Sequence, residues 1–248
     1  RNVANSYNCV NPLDDGVGMV LALLEKHNLA DSTVVLFVGD HGPPFARGKT
    51  TCYEAGLRVP FIVRWPGVSN PHKSQAMVST VDILPTLLDA AGLKVPDDLH
   101  GASLRSVLKN EDGPWREFLA AEFHFHGAKP FYPRRAIRDG RYKLIHNLLA
   151  GEAQPSTGID GDTAMAISQR GKYRDTPHGK AFRTFANPPE FELYDLNEDP
   201  HELITVAGRR QHAELQARLS AALLHWRRET NDPFLDSHHL QEVARSAK

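Results

Sequence analysis

The segment from Thr33 to Val38 constrains the fold more than any other part of the sequence. Its residues are apolar or β-branched without alternation, which is typical of a strand buried on both faces of a parallel sheet. The strand ends abruptly at Gly39, and Asp40, His41 and Gly42 follow it. Because ligands bind at the carboxyl ends of strands in open α/β sheets, the sequence predicts a functional site directly after this strand.

Asp40 and His41 are candidate ligands of one divalent metal ion. A carboxylate oxygen and an imidazole nitrogen both coordinate such ions, and the flanking glycines allow the backbone to turn tightly. The alternative is that Asp40 caps the following turn and that His41 is an ordinary loop histidine. The dipeptide alone leaves both interpretations open.

Composition excludes several classes of protein. The chain has 248 residues, 41% hydrophobic and 24% charged, with a formal net charge of -1, which argues against a general nucleic-acid or membrane-surface binder. No apolar run approaches the roughly 20 residues of a membrane-spanning helix. The spacing of Cys9 and Cys52 matches no zinc-binding motif, and the sequence does not decide whether the two form a disulfide bond. Because the chain starts at Arg1, without an initiator Met or a signal-peptide core, we expect a processed chain or part of a longer one.

Hydrophobic periodicity predicts two domains. A helix from residue 11 to 28, with one apolar stripe, leads into the Thr33 strand, and a second helix begins at Thr80 or Asp82, so residues 1–117 read as an α/β domain with a parallel or mixed sheet flanked by helices. Residues 118–248 predict a small antiparallel sheet with a helix across it. Its hairpin turns at Asp139 and Gly140, and residues 151–189 read as a long loop excursion.

Several short motifs follow Asp40 in a fixed order. They are Gly-Lys at Lys49, Tyr-Glu-Ala-Gly from Tyr53, Arg-Val-Pro from Arg58 and Trp-Pro-Gly from Trp65. This order and spacing resemble the sulfatase family, in which Asp-His-Gly or Asp-Asn-Gly after a strand precedes Gly-Lys, Tyr-Glu-Gly-Gly, Arg-x-Pro and Trp-Pro-Gly. The segments at 132–135, 141–148, 192–202 and 226–233 narrow the resemblance to the heparan N-sulfatase (sulfamidase) branch.

The resemblance implies an alkaline-phosphatase-like fold and hydrolysis of sulfate esters or sulfamates on sulfated glycans. It implies that Asp40 and His41 are metal ligands, with calcium as the expected ion, that Lys49 contacts sulfate oxygens, and that His124 and His126 belong to a substrate pocket. Without the resemblance, Lys49 reads as a solvated loop lysine and the two histidines as exposed side chains. The resemblance also favours a periplasmic or secreted bacterial location over a lysosomal one.

The departures from the family pattern carry equal weight. The family nucleophile is a formylglycine made within Cys/Ser-x-Pro-x-Arg, and neither Cys9 nor Cys52 lies in such a motif. The paired aspartates that supply the family's first metal ligands have no match either. We therefore expect the C-terminal half of a sulfatase, inactive without its N-terminal half. The alternatives are a metal-dependent phosphatase, phosphodiesterase or transferase of the same superfamily, and a catalytically inactive glycan-binding or scaffold protein.

Overall fold

The computed structural model of the chain describes residues 4, 7–127, 130–155 and 170–247. Contacts divide the chain into two units, one of Arg1–Val38 and Phe61–Pro114 and the other of Gly39–Pro60 and Trp115–Lys248. The segment from Gly39 to Pro60 therefore packs with the C-terminal residues. The domain boundary expected at residue 117 stays a prediction for the complete protein.

The described residues form both helices and strands. In chain order they are α1 (Val10–Lys26), β1 (Val35–Val38), α2 (Glu54–Leu57), β2 (Phe61–Arg64), α3 (Ile83–Ala90), α4 (Arg105–Lys109), β3 (Leu119–Phe123), β4 (Arg134–Arg138), β5 (Tyr142–Asn147), α5 (Gly171–Arg174), α6 (Pro177–Ala186), β6 (Phe191–Asp195), α7 (Ala213–Glu229) and α8 (Ser237–Ser246). Short 3-10 segments lie at Ala30–Ser32, Thr80–Asp82, Arg210–His212 and Pro233–Leu235.

The strand that ends at the predicted site has one partner in the first unit. β1 pairs antiparallel with β2, so that Val35 lies opposite Arg64 and Val38 opposite Phe61. The parallel neighbour expected for β1 is not among the described residues, and the strand is half-buried rather than covered on both faces. The predicted helix is present as α1, but none of its residues is buried.

The second predicted helix begins with a capping box. Ser79 and Asp82 bond reciprocally around the turn, and the buried Asp82 carboxylate also accepts a 2.9 Å hydrogen bond from the Ala102 backbone N–H. A carboxylate at this position satisfies backbone donors that the helix itself leaves free. The predicted start at Thr80 or Asp82 is confirmed, as a 3-10 turn that continues into α3.

The second unit is built on an antiparallel sheet in the order β3-β4-β5-β6. The predicted hairpin is confirmed: β4 and β5 pair so that Ile137 lies opposite Leu144, and Leu144 lies opposite Leu193 of β6. Leu219 and Leu223 of α7 pack on this apolar row. The sheet therefore presents one face to α7, and the predicted helix across the sheet is confirmed.

Part of the predicted long loop is helical. Thr176 caps α6 by accepting a 3.2 Å hydrogen bond from the Gly179 backbone N–H, and Pro177 occupies the first turn. Ala181 and Phe185 of this helix are buried. The prediction of a loop is therefore wrong for α6, and residues 156–169 of the predicted loop lie outside the described residues. None of the described helices combines the length and apolarity needed to cross a membrane.

Candidate functional site

The predicted metal ligands lie together directly after β1. His41 Nε2 is 3.2 Å from the Asp40 carboxylate, and His41 Nδ1 is 2.7 Å from the Gly42 carbonyl oxygen. The Asp40 side chain is 85% exposed and that of His41 is 38% exposed. Both groups are thus close enough to share one cation and open to solvent on the side away from the backbone.

Gly42 closes the loop that carries these residues. Its N–H donates a 3.0 Å hydrogen bond to the Gly56 carbonyl, and a Cβ at this position would overlap the Ala55 carbonyl oxygen. Glycine is required here by close backbone approach. The Lys49 N–H donates a 2.9 Å bond to the Pro43 carbonyl, so Lys49 is held in the same loop as Asp40 and His41.

Lys49 lies between two residues with strained backbone conformations. Arg47 and Thr50 have φ values of 68° and 69°, a left-handed conformation that non-glycine residues rarely adopt. Such strain persists only where surrounding contacts fix it, and it concentrates at functional sites. Among the described residues the Lys49 ammonium has no hydrogen-bond or ion-pair partner. It is therefore available to an external anion.

Arg47 supplies the contacts that fix this loop. Its buried guanidinium lies 3.9 Å from the centre of the Tyr53 ring and donates hydrogen bonds to the Ala181 and Glu202 carbonyl oxygens. The Thr51 hydroxyl also lies 2.7 Å from the Gly48 carbonyl oxygen and donates to it. The loop is thereby attached to α6 and to the turn after β6.

Behind the loop, Glu192 collects hydrogen bonds from three side chains. The Tyr53 hydroxyl donates at 2.7 Å, the Tyr194 hydroxyl at 2.6 Å and the Asn147 amide at 2.9 Å. Burial, reinforced by the nearby Glu192 charge, raises the pKa of the Tyr53 hydroxyl well above its usual value. Tyr53 is therefore a neutral donor and has no acid-base role at ordinary pH.

The Glu54 carboxylate holds the next part of the segment. It lies 2.7 Å from Arg138 and 3.2 Å from Lys143, whose ammonium is also 2.9 Å from Glu202. Burial favours a raised pKa for Glu54, but Lys143 and Arg138 outweigh it and lower that pKa. For Glu202 burial wins and the pKa is raised despite Lys143. These ion pairs are structural.

The two candidate substrate-binding histidines have different surroundings. β3 ends at Phe123, so both histidines lie beyond the end of the strand. His124 packs its ring 5.1 Å from that of Phe234, and burial together with Arg135 lowers its pKa. His126 instead lines a shallow pocket, together with Thr50, Phe123, Pro130, Tyr132, Arg134 and Pro155.

Arg134 and Arg135 are neighbouring residues of β4. Both are buried, with exposures of 2% and 0%. Arg135 forms two hydrogen bonds, of 2.8 and 2.7 Å, with the Asp232 carboxylate, which Arg227 also contacts. Arg134 is one of the residues that line the pocket of His126.

The side chains of Asp40 and His41 can supply some of the ligands of a metal ion. No group of three or more His, Cys, Asp or Glu side chains that could hold a cation occurs among the described residues. Asp40 and His41 offer an oxygen and a nitrogen to a hard divalent ion, which takes more ligands than these two. Both cysteines are free, and burial raises the pKa of the Cys52 thiol to about 11, so Cys52 is not a ready nucleophile.

Comparison with known proteins identifies the relatives of this chain. Residues 1–93 match the family model described as Sulfatase. N-sulphoglucosamine sulphohydrolase of Homo sapiens is 30% identical over 94% of this chain and 49% of its own length. N-acetylglucosamine-6-O-sulfatase of Bacteroides thetaiotaomicron is 30% identical over 89% of this chain and 35% of its own length. The chain thus spans about half or less of these curated relatives.

The solved structures agree with the fold. A protein crystallised with its substrate D-glucosamine-2-N,6-O-disulfate is 26% identical, with a TM-score of 0.64 over 90% of this chain and 40% of its own. The other structural neighbours include proteins named as sulfatases and two named as phosphonate monoester hydrolases. The predicted alkaline-phosphatase-like α/β class is confirmed.

Proposed function

We propose that this chain, a member of the sulfatase family, forms the C-terminal part of an enzyme that hydrolyses sulfate esters or sulfamates on glycans. The observation that carries the proposal is the Lys49 ammonium, which has no partner among the described residues and is held in one loop with Asp40 and His41. A compact, mobile point charge is suited to a tetrahedral anion such as sulfate.

Each residue of the loop has one task in this proposal. Lys49 binds sulfate oxygens and stabilises negative charge that grows on them as the bond to the sugar breaks. Asp40 and His41 would hold a divalent cation, with calcium expected from the family, and complete its coordination with groups from outside the described residues. When bound, that cation screens the repulsion between the nucleophile and the sulfate group.

The substrate class is proposed from the relatives. The human relative is named for N-sulphoglucosamine, and the structural neighbour binds a disulfated glucosamine. We therefore expect a sulfated saccharide here, with His126 beside it, and a formylglycine nucleophile in the N-terminal half that this chain does not include. A periplasmic or secreted location belongs to the same proposal.

Two other functions differ in the activity they predict. A phosphatase or phosphodiesterase of the same superfamily would use the same Asp40 and His41 pair but prefer phosphate esters. A glycan-binding protein without catalysis would bind the sugar and release nothing. The products that the complete protein releases from sulfated and phosphorylated compounds distinguish these two functions from the proposed one.

The test is sulfate release from an aryl sulfate and from N-sulfated glucosamine by the complete protein that contains this chain. Lys49→Ala should lower turnover by more than about tenfold, because it removes one charge contact to the transition state. Lys73→Ala, which removes an exposed lysine elsewhere, should leave turnover unchanged. Faster release from an aryl phosphate than from either sulfated compound would favour the phosphatase, and no release at all would favour the binding protein.

A further inference from the structure

The pocket beside His126 is lined by Arg134, a buried residue whose guanidinium lacks hydrogen-bond partners at two nitrogens among the described residues. Arg134 is 2% exposed, and its Nε and Nη2 atoms have no partner among the described residues. Its guanidinium carbon lies 5.0 Å from the centre of the Tyr132 ring and 5.7 Å from that of Phe185. The aromatic rings thus hold the charged group but leave these donors unsatisfied.

The neighbouring residue shows what a satisfied guanidinium looks like in the same strand. Arg135, also buried, faces the Asp232 carboxylate with paired hydrogen bonds of 2.8 and 2.7 Å. A buried charge that lacks such a partner destabilises a fold. The unpaired charge of Arg134 therefore destabilises the fold, and an anion bound in the pocket would relieve this. The charge of Arg135 is already paired and needs no such anion.

The position of the pocket connects it to the sulfate-binding loop. Thr50, which follows Lys49 directly, is one of the pocket residues. A saccharide whose sulfate reaches Lys49 is therefore adjacent to the pocket. The planar fork of an arginine side chain matches the paired oxygens of a sulfate or a carboxylate.

From this arrangement we propose that the pocket is a subsite for a second anionic group of the saccharide, a sulfate or a carboxylate, bound by Arg134. The inference rests on the proposed function, because it takes a sulfated saccharide as the ligand. It adds that the ligand has two anionic groups, and that Arg134 distinguishes such a ligand from one with a single anionic group.

Arg134→Met is the informative variant, because methionine replaces the long side chain with an apolar one of similar reach. If the unpaired charge serves only a ligand, the variant should melt at the same or a higher temperature than the parent. Arg135→Met is the matched control. It should lower the melting temperature, because it leaves Asp232 buried without its paired donors.

The experiment measures the rise in melting temperature that ligands cause in the complete protein, since a ligand that binds the folded state stabilises it by mass action. The probes, at equal millimolar concentrations, are D-glucosamine-2-N,6-O-disulfate, D-glucosamine N-sulfate, and a disaccharide of a uronate and N-sulfated glucosamine. The parent should gain more from one or both of the probes with two anionic groups. Arg134→Met should lose that extra gain, keep the gain from the monosulfate, and bind the disulfate at least about tenfold more weakly.

Each result decides the proposal. A gain that is equal for all three probes in the parent, a variant that keeps the extra gain, a loss that is the same for the monosulfate, or no gain from any probe would overturn it. A large fall in the unliganded melting temperature of Arg134→Met would also overturn it, since Arg134 would then be structural. Binding requires no turnover, so a failed sulfate-release assay refutes the proposed function without deciding this result.

Discussion

The Tyr53 hydroxyl donates a 2.7 Å hydrogen bond to the Glu192 carboxylate and so joins the loop of Lys49 to β6, a strand 139 residues further along the chain. Both groups are buried, and the same carboxylate oxygen accepts a second hydroxyl, that of Tyr194. The loop after β1 is therefore positioned by the C-terminal sheet. Its chemistry depends on residues that are far from it in sequence.

Tyr53→Phe tests this connection. The variant leaves Glu192 buried with one donor fewer, and a hydrogen bond to a charged group contributes about 1.5–3 kcal/mol, so the free energy of unfolding should fall by about that amount. Urea unfolding at neutral pH measures it. Tyr142→Phe is the control, because the Tyr142 side chain is only half-buried and no hydrogen bond of its hydroxyl is described. Equal effects of the two variants would contradict the prediction.

Local signals and distant contacts explain which parts of the fold the sequence predicts. The β4–β5 hairpin is predictable because Asp139 organises its own turn, accepting bonds from the N–H groups of Arg141 and Tyr142. The burial of Arg135 depends on Asp232, 97 residues away, which no local pattern indicates. The packing of α6 likewise depends on distant aromatic residues, so its low apolar content suggested a loop.

The same distinction applies to the candidate site. Asp40 and His41 are neighbours in sequence, and their position after a strand was enough to place them together. The sequence also placed Lys49 in the loop that follows. The pocket of Arg134 depends on the pairing of β4 with β3 and on the return of the loop to that sheet. Only the folded chain shows that its guanidinium is buried.

Lys143→Met should be strongly destabilising at neutral pH. Lys143 is buried between Glu54 and Glu202, and the loss of one partner of a buried ion pair typically costs about 3–5 kcal/mol. The pKa of Glu202 is already raised by burial in the parent and should rise further in the variant. A carboxyl group whose pKa is higher in the folded chain than in the unfolded chain stabilises the fold at pH values below its unfolded pKa, and this contribution is lost as the pH rises. The variant should therefore recover part of its stability on acidification.

The measurement is the urea midpoint of Lys143→Met at pH 7.5 and at pH 5, relative to the parent chain. Lys180→Met, which changes an exposed lysine, should differ little from the parent at either pH. A deficit of Lys143→Met that is small, or that grows as the pH falls, would show that Lys143 does not compensate these carboxylates.

His146 should make the chain sensitive to mild acid. Burial, with the charges of Arg227 and Arg135, lowers its pKa from 6.5 to about 4. The unfolded chain then binds a proton that the folded chain does not, so stability is complete above pH 6.5 and decreases as the pH falls toward 4. At about 1.4 kcal/mol for each pH unit, the loss approaches roughly 3 kcal/mol.

His146→Phe should remove this pH dependence and keep the stacking on Phe191, whose ring centre lies 4.4 Å away. Chemical unfolding measured at several values between pH 7 and pH 4 gives the slope for parent and variant. His178→Phe, at an exposed position of α6, should keep the parent slope. If the slope persists in His146→Phe, other groups cause the acid sensitivity.

The chain by itself should self-associate through α1 and the free edge of β1. The apolar side chains of Leu13, Met19 and Val20 on α1 are 53%, 65% and 58% exposed. β1 has one strand partner among the described residues. Exposed apolar helix faces and unpaired strand edges are the usual origins of association. In the complete enzyme proposed above, segments outside this chain should cover them.

Light scattering of the isolated chain at increasing concentration measures this association. Val20→Glu combined with Leu13→Glu should reduce it and leave the melting temperature nearly unchanged, because neither side chain is buried. Leu93→Glu, which changes an exposed leucine after α3, should reduce it less. A chain that stays monomeric at high concentration, or that associates equally with both sets of changes, would show that these faces need no further partner.

The same isolated chain should bind calcium weakly in a calorimetric titration, because Asp40 and His41 supply two ligands where calcium takes about six to eight.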